Sequence, residues 1–216
     1  MNLYAIYGVS GCGRGVMPLA RSMLARWCAE PYELVFVDDH PPAPEANGHR
    51  VLTYRQFLDA GADRRTACIA IADSLLRAKL AERCATDGIE PFSVVADNVV
   101  TMDGVQIGEG AILSPFVTIT SNIRIGRHFQ ANLYAYVEHD CVIGDFVTFA
   151  PGVKCNGNVV IEDHAYIGSG AILRQGRPGE PLVIGRGVVV GMGAVVTRSV
   201  PPGVTVAGNP ARPLKR

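Results

Sequence analysis

Every sixth residue from Ile107 onward is apolar: Ile107, Leu113, Ile119, Ile125, Ala131, Val137, Ile143, Phe149, Cys155, Ile161, Ile167 and Leu173. Four places after each stands a second small or apolar residue, from Ala111 and Val117 through Cys141 and Val153 to Ala171, while the place directly after the first is polar or small. A helix repeats every 3.6 residues and a strand every 2. A sustained period of six fits neither, and it specifies a hexapeptide β-solenoid, in which short strands turn corners and stack inward side chains into ladders. The register extends back through Thr101 and Val95, and it slips once going forward: after Leu173 the apolar place returns at Ile184, then Val190 and Val196. Eleven residues stand where six belong, so five are inserted, within 174–182 (RQGRPGEPL). Proline and glycine there cannot join a ladder. The segment should leave the stack as a loop, the kind of element that tends to carry function on a solenoid. With three hexads per coil, the stretch makes between five and six coils, stacked about 4.8 Å apart.

The first 92 residues read differently. Leu3–Tyr7 is a short apolar strand that runs into Gly8-Val-Ser-Gly11-Cys-Gly13-Arg-Gly15, and a helical pattern follows from Met17 to Ala29 with Leu19, Met23, Leu24 and Trp27 on one face. A strand, a glycine-rich turn and a helix open a nucleotide-binding βαβ unit, where glycines let the backbone approach phosphates and the helix N-terminus offers free N–H donors. The full dinucleotide fingerprint, GxGxxG, is not matched. A second strand, Leu34–Val37, ends in Asp38-Asp39, at a point where carboxylates commonly take ribose hydroxyls. Pro41–Gly48 reads as a turn-rich loop. Thr53 caps a short helix ending at Gly61. Thr66–Ala72 is a third strand, followed by Asp73 and a helix from Ser74 to about Thr86. This alternation implies a small parallel sheet with helices on both faces. The expected fold is an α/β Rossmann-like subdomain, residues 1–92, holding one nucleotide half, followed by an all-β parallel solenoid, 93–216, with its loop insertion at 174–182.

Composition narrows the function. Lys plus Arg equals Asp plus Glu, 20 each, so no basic surface for nucleic acid is expected. No apolar run reaches membrane-spanning length, and MNLYAIYGVSG has no basic flank before its apolar run, so it reads as a strand and not as a signal peptide. Six cysteines form no CxxC pair, and Cys141 and Cys155 fall on inward places, where a thiol acts as a small hydrophobe. Free thiols and a cytoplasmic location are the expectation.

Five histidines are available for chemistry: 40, 49, 128, 139 and 164. His40 and His49 flank the proline loop. His128 and His164 share the fourth place of their hexads, two coils apart. His139 stands in Tyr136-Val-Glu-His-Asp-Cys141 with a carboxylate on each side, and Asp140 or Glu138 can orient its ring and raise its basicity. From the residues alone, a solvated corner histidine and a general base both remain open.

The hexads, YVEHDCVIGDF and KCNGNV, together with GVSGCGRG and FVDD, resemble the bacterial acetyl-CoA-dependent nucleotide-aminosugar N-acetyltransferases (PglD-like); related chains are commonly labelled sialic-acid O-acetyltransferases. The resemblance runs from the glycine turn to the terminal GNPAR. It implies a left-handed β-helix, a homotrimer with coenzyme A between neighbouring solenoids, a role in polysaccharide or glycan biosynthesis, and no metal. It also implies site residues. His139 matches the catalytic base, Asp140 its acidic partner, Asn132 an active-site asparagine, and Gly157 the glycine whose N–H faces the thioester oxygen. Ser10, Gly11, Cys12, Asp38, Asp39 and Asp73 match positions that hold the nucleotide sugar, with cysteine at 12 where histidine is common. Thr148 sits where close relatives carry a second histidine near the acetyl group, and Ser169 and Met192 match coenzyme A contacts. Direct transfer follows: His139 takes a proton as the sugar amine attacks the acetyl thioester. The alternatives are O-acetylation of a sialic-acid-type sugar, a non-catalytic scaffold, and a zinc carbonic anhydrase on the same solenoid. The last needs three converging histidines, two of them close in sequence, whereas His128 and His139 are eleven apart on different places.

Overall fold

A computed structural model describes residues 1–214. It divides into two compact units, Met1–Val95 and a second that begins at Ala96.

The first unit is built on one sheet. Its elements are β1 (Asn2–Tyr7), α1 (Gly11–Trp27), β2 (Tyr32–Val37), β3 (Glu45–Ala46), β4 (His49–Leu52), α2 (Tyr54–Asp59), β5 (Arg64–Ile69), α3 (Ser74–Thr86) and β6 (Glu90–Pro91). The strand order is β3-β4-β2-β1-β5-β6, parallel except for the β3–β4 pair. The C-terminal halves of β1, β2 and β5 are continuously buried, as in a parallel sheet covered on both faces. On one face, Ala5, Tyr7, Val35, Val37 and Ile69 pack with Tyr54 and Phe57 of α2 and Leu80 and Cys84 of α3. Ile6, of opposite parity, lies under Gly13 of α1.

Three local readings of the sequence change here. Helix α1 starts at Gly11, six residues before the apolar pattern begins, so most of the glycine run is helical. Its buried stripe is Gly13, Met17, Ala20 and Leu24, and Trp27, expected on the apolar face, is 81 % exposed at the helix end. The loop 41–48 contains the hairpin β3–β4. Asn47 (φ 50°) and Gly48 (φ 77°) form its two-residue turn, both in the left-handed region that such hairpins require.

The second unit is the solenoid. One face stacks Val100–Thr101, Thr118–Ile119, Tyr136–Val137, Lys154–Cys155, Ile172–Leu173 and Val195–Val196. The next stacks Gln106–Ile107, Arg124–Ile125, Val142–Ile143, Val159–Ile161 and Leu182–Ile184. The third runs from Ile112–Leu113 through Gln130–Ala131, Thr148–Phe149, Tyr166–Ile167 and Val189–Val190 to Thr205–Ala207, closed by the antiparallel Arg212–Pro213. Partners are eighteen residues apart, as in Thr118↔Tyr136 and Tyr136↔Lys154. Across the insertion the offset becomes twenty-three, as in Val160↔Val183 and Ile172↔Val195. The difference is the five inserted residues. Both expected inward places are buried from Ala111 to Val196, Cys141 and Cys155 among them, while Ile107 and Val95 are only partly covered and Thr101 is exposed at the start of the stack. All six cysteines are free.

Corners depend on the fourth place of the hexad, which is left-handed at every step from Gly104 to Gly170, with φ between 54 and 70°. Glycine, asparagine, aspartate and histidine tolerate that backbone; Phe116, Tyr134 and Phe146 do so under strain. No helix among the described residues is long and apolar enough to cross a membrane.

Candidate active site

His139 is at the third place of its hexad, directly after the outward Glu138 and before the left-handed Asp140 (φ 58°). An aspartate in that conformation turns its carboxylate back along the chain, and Asp140 Oδ2 meets His139 Nδ1 at 2.8 Å. Asn122 Nδ2 reaches Asp140 Oδ1 at 3.5 Å from the preceding coil. The hydrogen bond to Asp140 raises the His139 pKa above the ordinary histidine value; burial opposes it, and the charges of Asp140 and Glu138 add to it. With Nδ1 committed to the carboxylate, Nε2 is the nitrogen left to face a reactant. The side chain is 42 % exposed, so the pair is open to solvent and to ligands.

One coil further on, at the same place, stands Gly157. A Cβ built there would fall 2.6 Å from both Nε2 and Cε1 of His139, so the imidazole occupies the space that any side chain at 157 would need. No group among the described residues accepts the Gly157 N–H. The flanking residues are fixed: Asn158 N–H donates to His139 O (3.0 Å), Asn156 Nδ2 to Leu173 O (2.8 Å), and Tyr136 Oη to Asn156 Oδ1 (3.0 Å). The result is a base with an oriented, free nitrogen beside a free, fixed backbone donor. Proton abstraction from a nucleophile next to stabilisation of an oxyanion is what such a pair can do. Tyr136 and Asn156 were not singled out from sequence. The signal for Asn156 is its place in the hexad, that of Glu138 one coil on.

The other candidates on the solenoid lie elsewhere. Asn132, Ser169 and Met192 belong to the corner that follows the third face, one corner away from His139 and Gly157. All three are exposed, Met192 at 82 %. Asn132 Oδ1 accepts from the Leu133 amide at 2.8 Å. Thr148 is buried within the third face between Gln130 and Tyr166. Within one chain, all four stand on the third face or the corner after it, whereas His139 follows the first face.

In the first unit, Gly8 (φ 108°) turns the chain out of β1, and a Cβ at Gly13 would sit 1.8 Å from Gly8 O. Only glycine lets α1 start this close to the sheet. Ser10 is the N-cap residue, Gly11 has open space around its Cα, and Cys12 is half-buried, its thiol pKa raised by burial. Asp38 faces this turn, Oδ2 accepting from the Val9 amide (3.3 Å) and Oδ1 from the His40 amide (3.0 Å). Asp39 is tied into the fold instead: it accepts from Tyr7 Oη (2.9 Å) and pairs with Arg83 (2.9 Å), whose guanidinium also lies 3.6 Å above the Tyr54 ring. Asp73 caps α3, its Oδ1 taking the Leu75 and Leu76 amides at 3.0 Å each.

Residues 158–198 match the hexapeptide repeat of succinyl-transferase. Over its whole length the chain is 52 % identical to the GDP-perosamine N-acetyltransferase of Escherichia coli O157:H7, covering 98 % of that protein. The chain therefore belongs to the hexapeptide-repeat nucleotide-aminosugar N-acetyltransferases. Among solved structures, this acetyltransferase matches WeeI from Acinetobacter baumannii AYE with a TM-score of 0.95 and 53 % identity, covering 99 % of this chain and 100 % of that one. It matches the acetyltransferase domain of PglB from Neisseria gonorrhoeae FA1090, in complex with acetyl coenzyme A, with a TM-score of 0.86 and 28 % identity, covering 98 % of each chain.

Proposed function

We propose that this acetyltransferase moves the acetyl group of acetyl-CoA to the amino group of a GDP-linked amino sugar, with His139 as general base. Membership of the N-acetyltransferase family carries the reaction class, and the 52 % identity to a GDP-perosamine enzyme carries the choice of acceptor. The observation that supports the mechanism is the Asp140–His139 pair beside the free Gly157 N–H. His139 Nε2 takes a proton from the sugar amine as its nitrogen attacks the thioester carbon. A C–N bond forms, the carbonyl electrons move to oxygen, and the Gly157 N–H donates to that oxyanion, a contribution typically of about 3–4 kcal/mol. The carbonyl then reforms, the C–S bond breaks, and the thiolate of coenzyme A leaves and takes up a proton. Asp140 holds the ring in the tautomer that leaves Nε2 free.

The first unit is read as a Rossmann-like half that receives the nucleotide at the Gly8–Gly13 turn, with Ser10, Gly11, Cys12 and Asp38 nearest to it and Asp39 and Asp73 as supports. The solenoid is read as the left-handed coil of its group. Asn132, Thr148, Ser169 and Met192 serve the coenzyme and acetyl group in a trimer, each site drawing one corner from each of two copies. Six free thiols fit a reducing cytoplasm. Release of coenzyme A measured against a panel of nucleotide-linked amino sugars tests this reading. GDP-perosamine should support the fastest release and its 4-hydroxy analogue none; equal rates with the hydroxyl sugar would replace N- by O-transfer.

A further inference from the structure

The five inserted residues are Arg177-Pro178-Gly179-Glu180-Pro181, and they enter between the fourth and fifth places of the hexad that begins at Leu173. They form a tight turn, Arg177 and Glu180 exchanging backbone hydrogen bonds at 3.0 and 2.9 Å, with Pro178 and Gly179 (φ 78°) at its centre. On the corner after the third face the fifth-place N–H closes onto the second-place carbonyl of its own hexad, as in Ala135→Asn132 and Ala171→Gly168, whereas Cys141 and Val159, on the corner that holds the insertion, do not. Here the fifth place is Leu182, and its N–H goes instead to Asn158 O on the preceding coil (3.1 Å). The fourth place is Gly176, whose N–H goes to Gly157 O (2.9 Å) as fourth-place amides do at regular coils (Asp140 to Ser121 O, Asn158 to His139 O), but a Cβ on Gly176 would stand 2.1 Å from Asn158 O. Gly176 lacks the left-handed φ of the other fourth places. The two residues that flank the inserted turn, Gly176 and Leu182, therefore both rest on the Gly157–Asn158 backbone.

We infer that the 177–181 turn and Gly176 are positioning elements for the Gly157 N–H. The inference rests on the reading of Gly157 as the oxyanion donor. Gly157 O and Asn158 N–H make the corner bonds found at other coils, with Gly176 and His139; the turn adds the Leu182 N–H on Asn158 O, which ties down the backbone that follows the Gly157 amide. Preorganisation of a donor is what makes it effective. A five-residue departure from an otherwise unbroken repeat, placed one coil beyond Gly157, gains a role it lacks as a surface loop. Deleting Arg177–Pro181 restores a regular hexad, Leu173-Arg174-Gln175-Gly176-Leu182-Val183, with glycine already at the left-handed place, so this variant is built to fold.

The test uses the intact protein with acetyl-CoA carrying carbon-13 at the thioester carbonyl, and reads the carbonyl stretch of the bound molecule by difference infrared spectroscopy. In the wild type a hydrogen bond from Gly157 lowers that frequency relative to acetyl-CoA in buffer. The deletion variant and Gly176→Ala should lose most of the lowering, with kcat down by about 10²-fold, the cost of a misplacement near 1 Å, and with unchanged Kd for coenzyme A. If the wild type shows no lowering, the Gly157 reading falls and this inference with it. If the wild type shows it and both variants keep it together with full kcat, the Gly157 reading stands and the positioning role is overturned. Should Gly176→Ala fail to fold, the deletion variant decides; failure of both to fold would make the turn a folding element and overturn the proposal.

Discussion

His139 combines exposure with an oriented hydrogen bond, and that combination separates its chemistry from its contribution to stability. The residues that fill the core of its hexad are Val137 and Cys141, each 1 % exposed. His139→Ala should therefore stay folded, within about 0.5 kcal/mol of the wild type, while kcat falls by about 10²–10⁴-fold; a chemical melt and a steady-state assay on one preparation check both. Because Asp140 raises the histidine's pKa, kcat/KM should rise with pH through an inflection above the ordinary histidine value, and Asp140→Asn should move that inflection down. The linkage runs the other way for stability: a pKa raised by folding stabilises below the unfolded value and is lost as pH rises through the folded one. At 42 % exposure that term is small, so the melt should be nearly flat over the range where activity changes. The two aspartates after β2 separate in the same manner. Asp38→Ala should raise the acceptor KM and spare coenzyme A binding, whereas Asp39→Ala should lower the melting temperature by freeing Arg83 and Tyr7. Sequence makes the His139–Asp140 pair visible because the two are adjacent. It hides the difference between Asp38 and Asp39, since Arg83 lies 44 residues away and only the fold brings it to one of them.

Among the elements, the corners carry the unexpected structure. Along one corner His128, Phe146 and His164 stack at successive coils, ring centroids 5.0 and 5.3 Å apart and planes within 8° of parallel. Phe116 and Tyr134 do the same on another corner, 4.8 Å apart. Phe116, Tyr134 and Phe146 hold a left-handed backbone at a cost of about 1–2 kcal/mol each; stacking offsets it at all three, and burial adds to that only at Phe146. Phe146 is 8 % exposed, so Phe146→Ala should destabilise by about 3 kcal/mol. Phe146→Gly should cost less, since glycine, unlike alanine, adopts φ 58° without strain. Urea denaturation of the two variants gives the order, and an alanine milder than glycine would remove backbone strain from the account. The ladder was legible in outline, because His128 and His164 share a hexad place. Their partner Phe146 carries no signal of its own, since the sixfold pattern specifies what points inward and says little about what a corner will tolerate. The Asn47-Gly48 hairpin was missed for the opposite reason: its turn dipeptide was plain, but strands of two and four residues leave no periodicity to find. Trp27 keeps the spacing of the buried stripe, three residues after Leu24, yet as the last residue of α1 it is exposed, which a periodicity cannot foretell.

At the scale of the molecule, period and slip were both readable, because each coil repeats one constraint and a five-residue excess has nowhere to go but outward. What a single chain cannot supply is the meeting of two corners. His139 and Gly157 lie on the corner after the first face, and Asn132, Ser169 and Met192 on the corner after the third, separated by a full strand of the prism. A β-solenoid is too rigid to fold one corner onto the next, so a site that uses both must take them from two copies related by rotation, and closure of a head-to-tail contact of that kind gives a ring. Complementation tests this directly. His139→Ala removes the proposed base and leaves the proposed coenzyme corner intact; Ser169→Trp fills that corner and leaves His139 intact, and each alone should be inactive. When the two are unfolded together, mixed in equal amounts and refolded, every mixed trimer contains one interface that pairs an intact base with an intact coenzyme corner. About a quarter of all sites should then recover for random assembly into threes, measured as coenzyme A release against refolded wild type. A site contained within one chain would recover nothing. A dimer with two equivalent shared sites would recover the same quarter of sites, so sedimentation of the mixed sample must accompany the assay, and only a trimer with restored activity satisfies both.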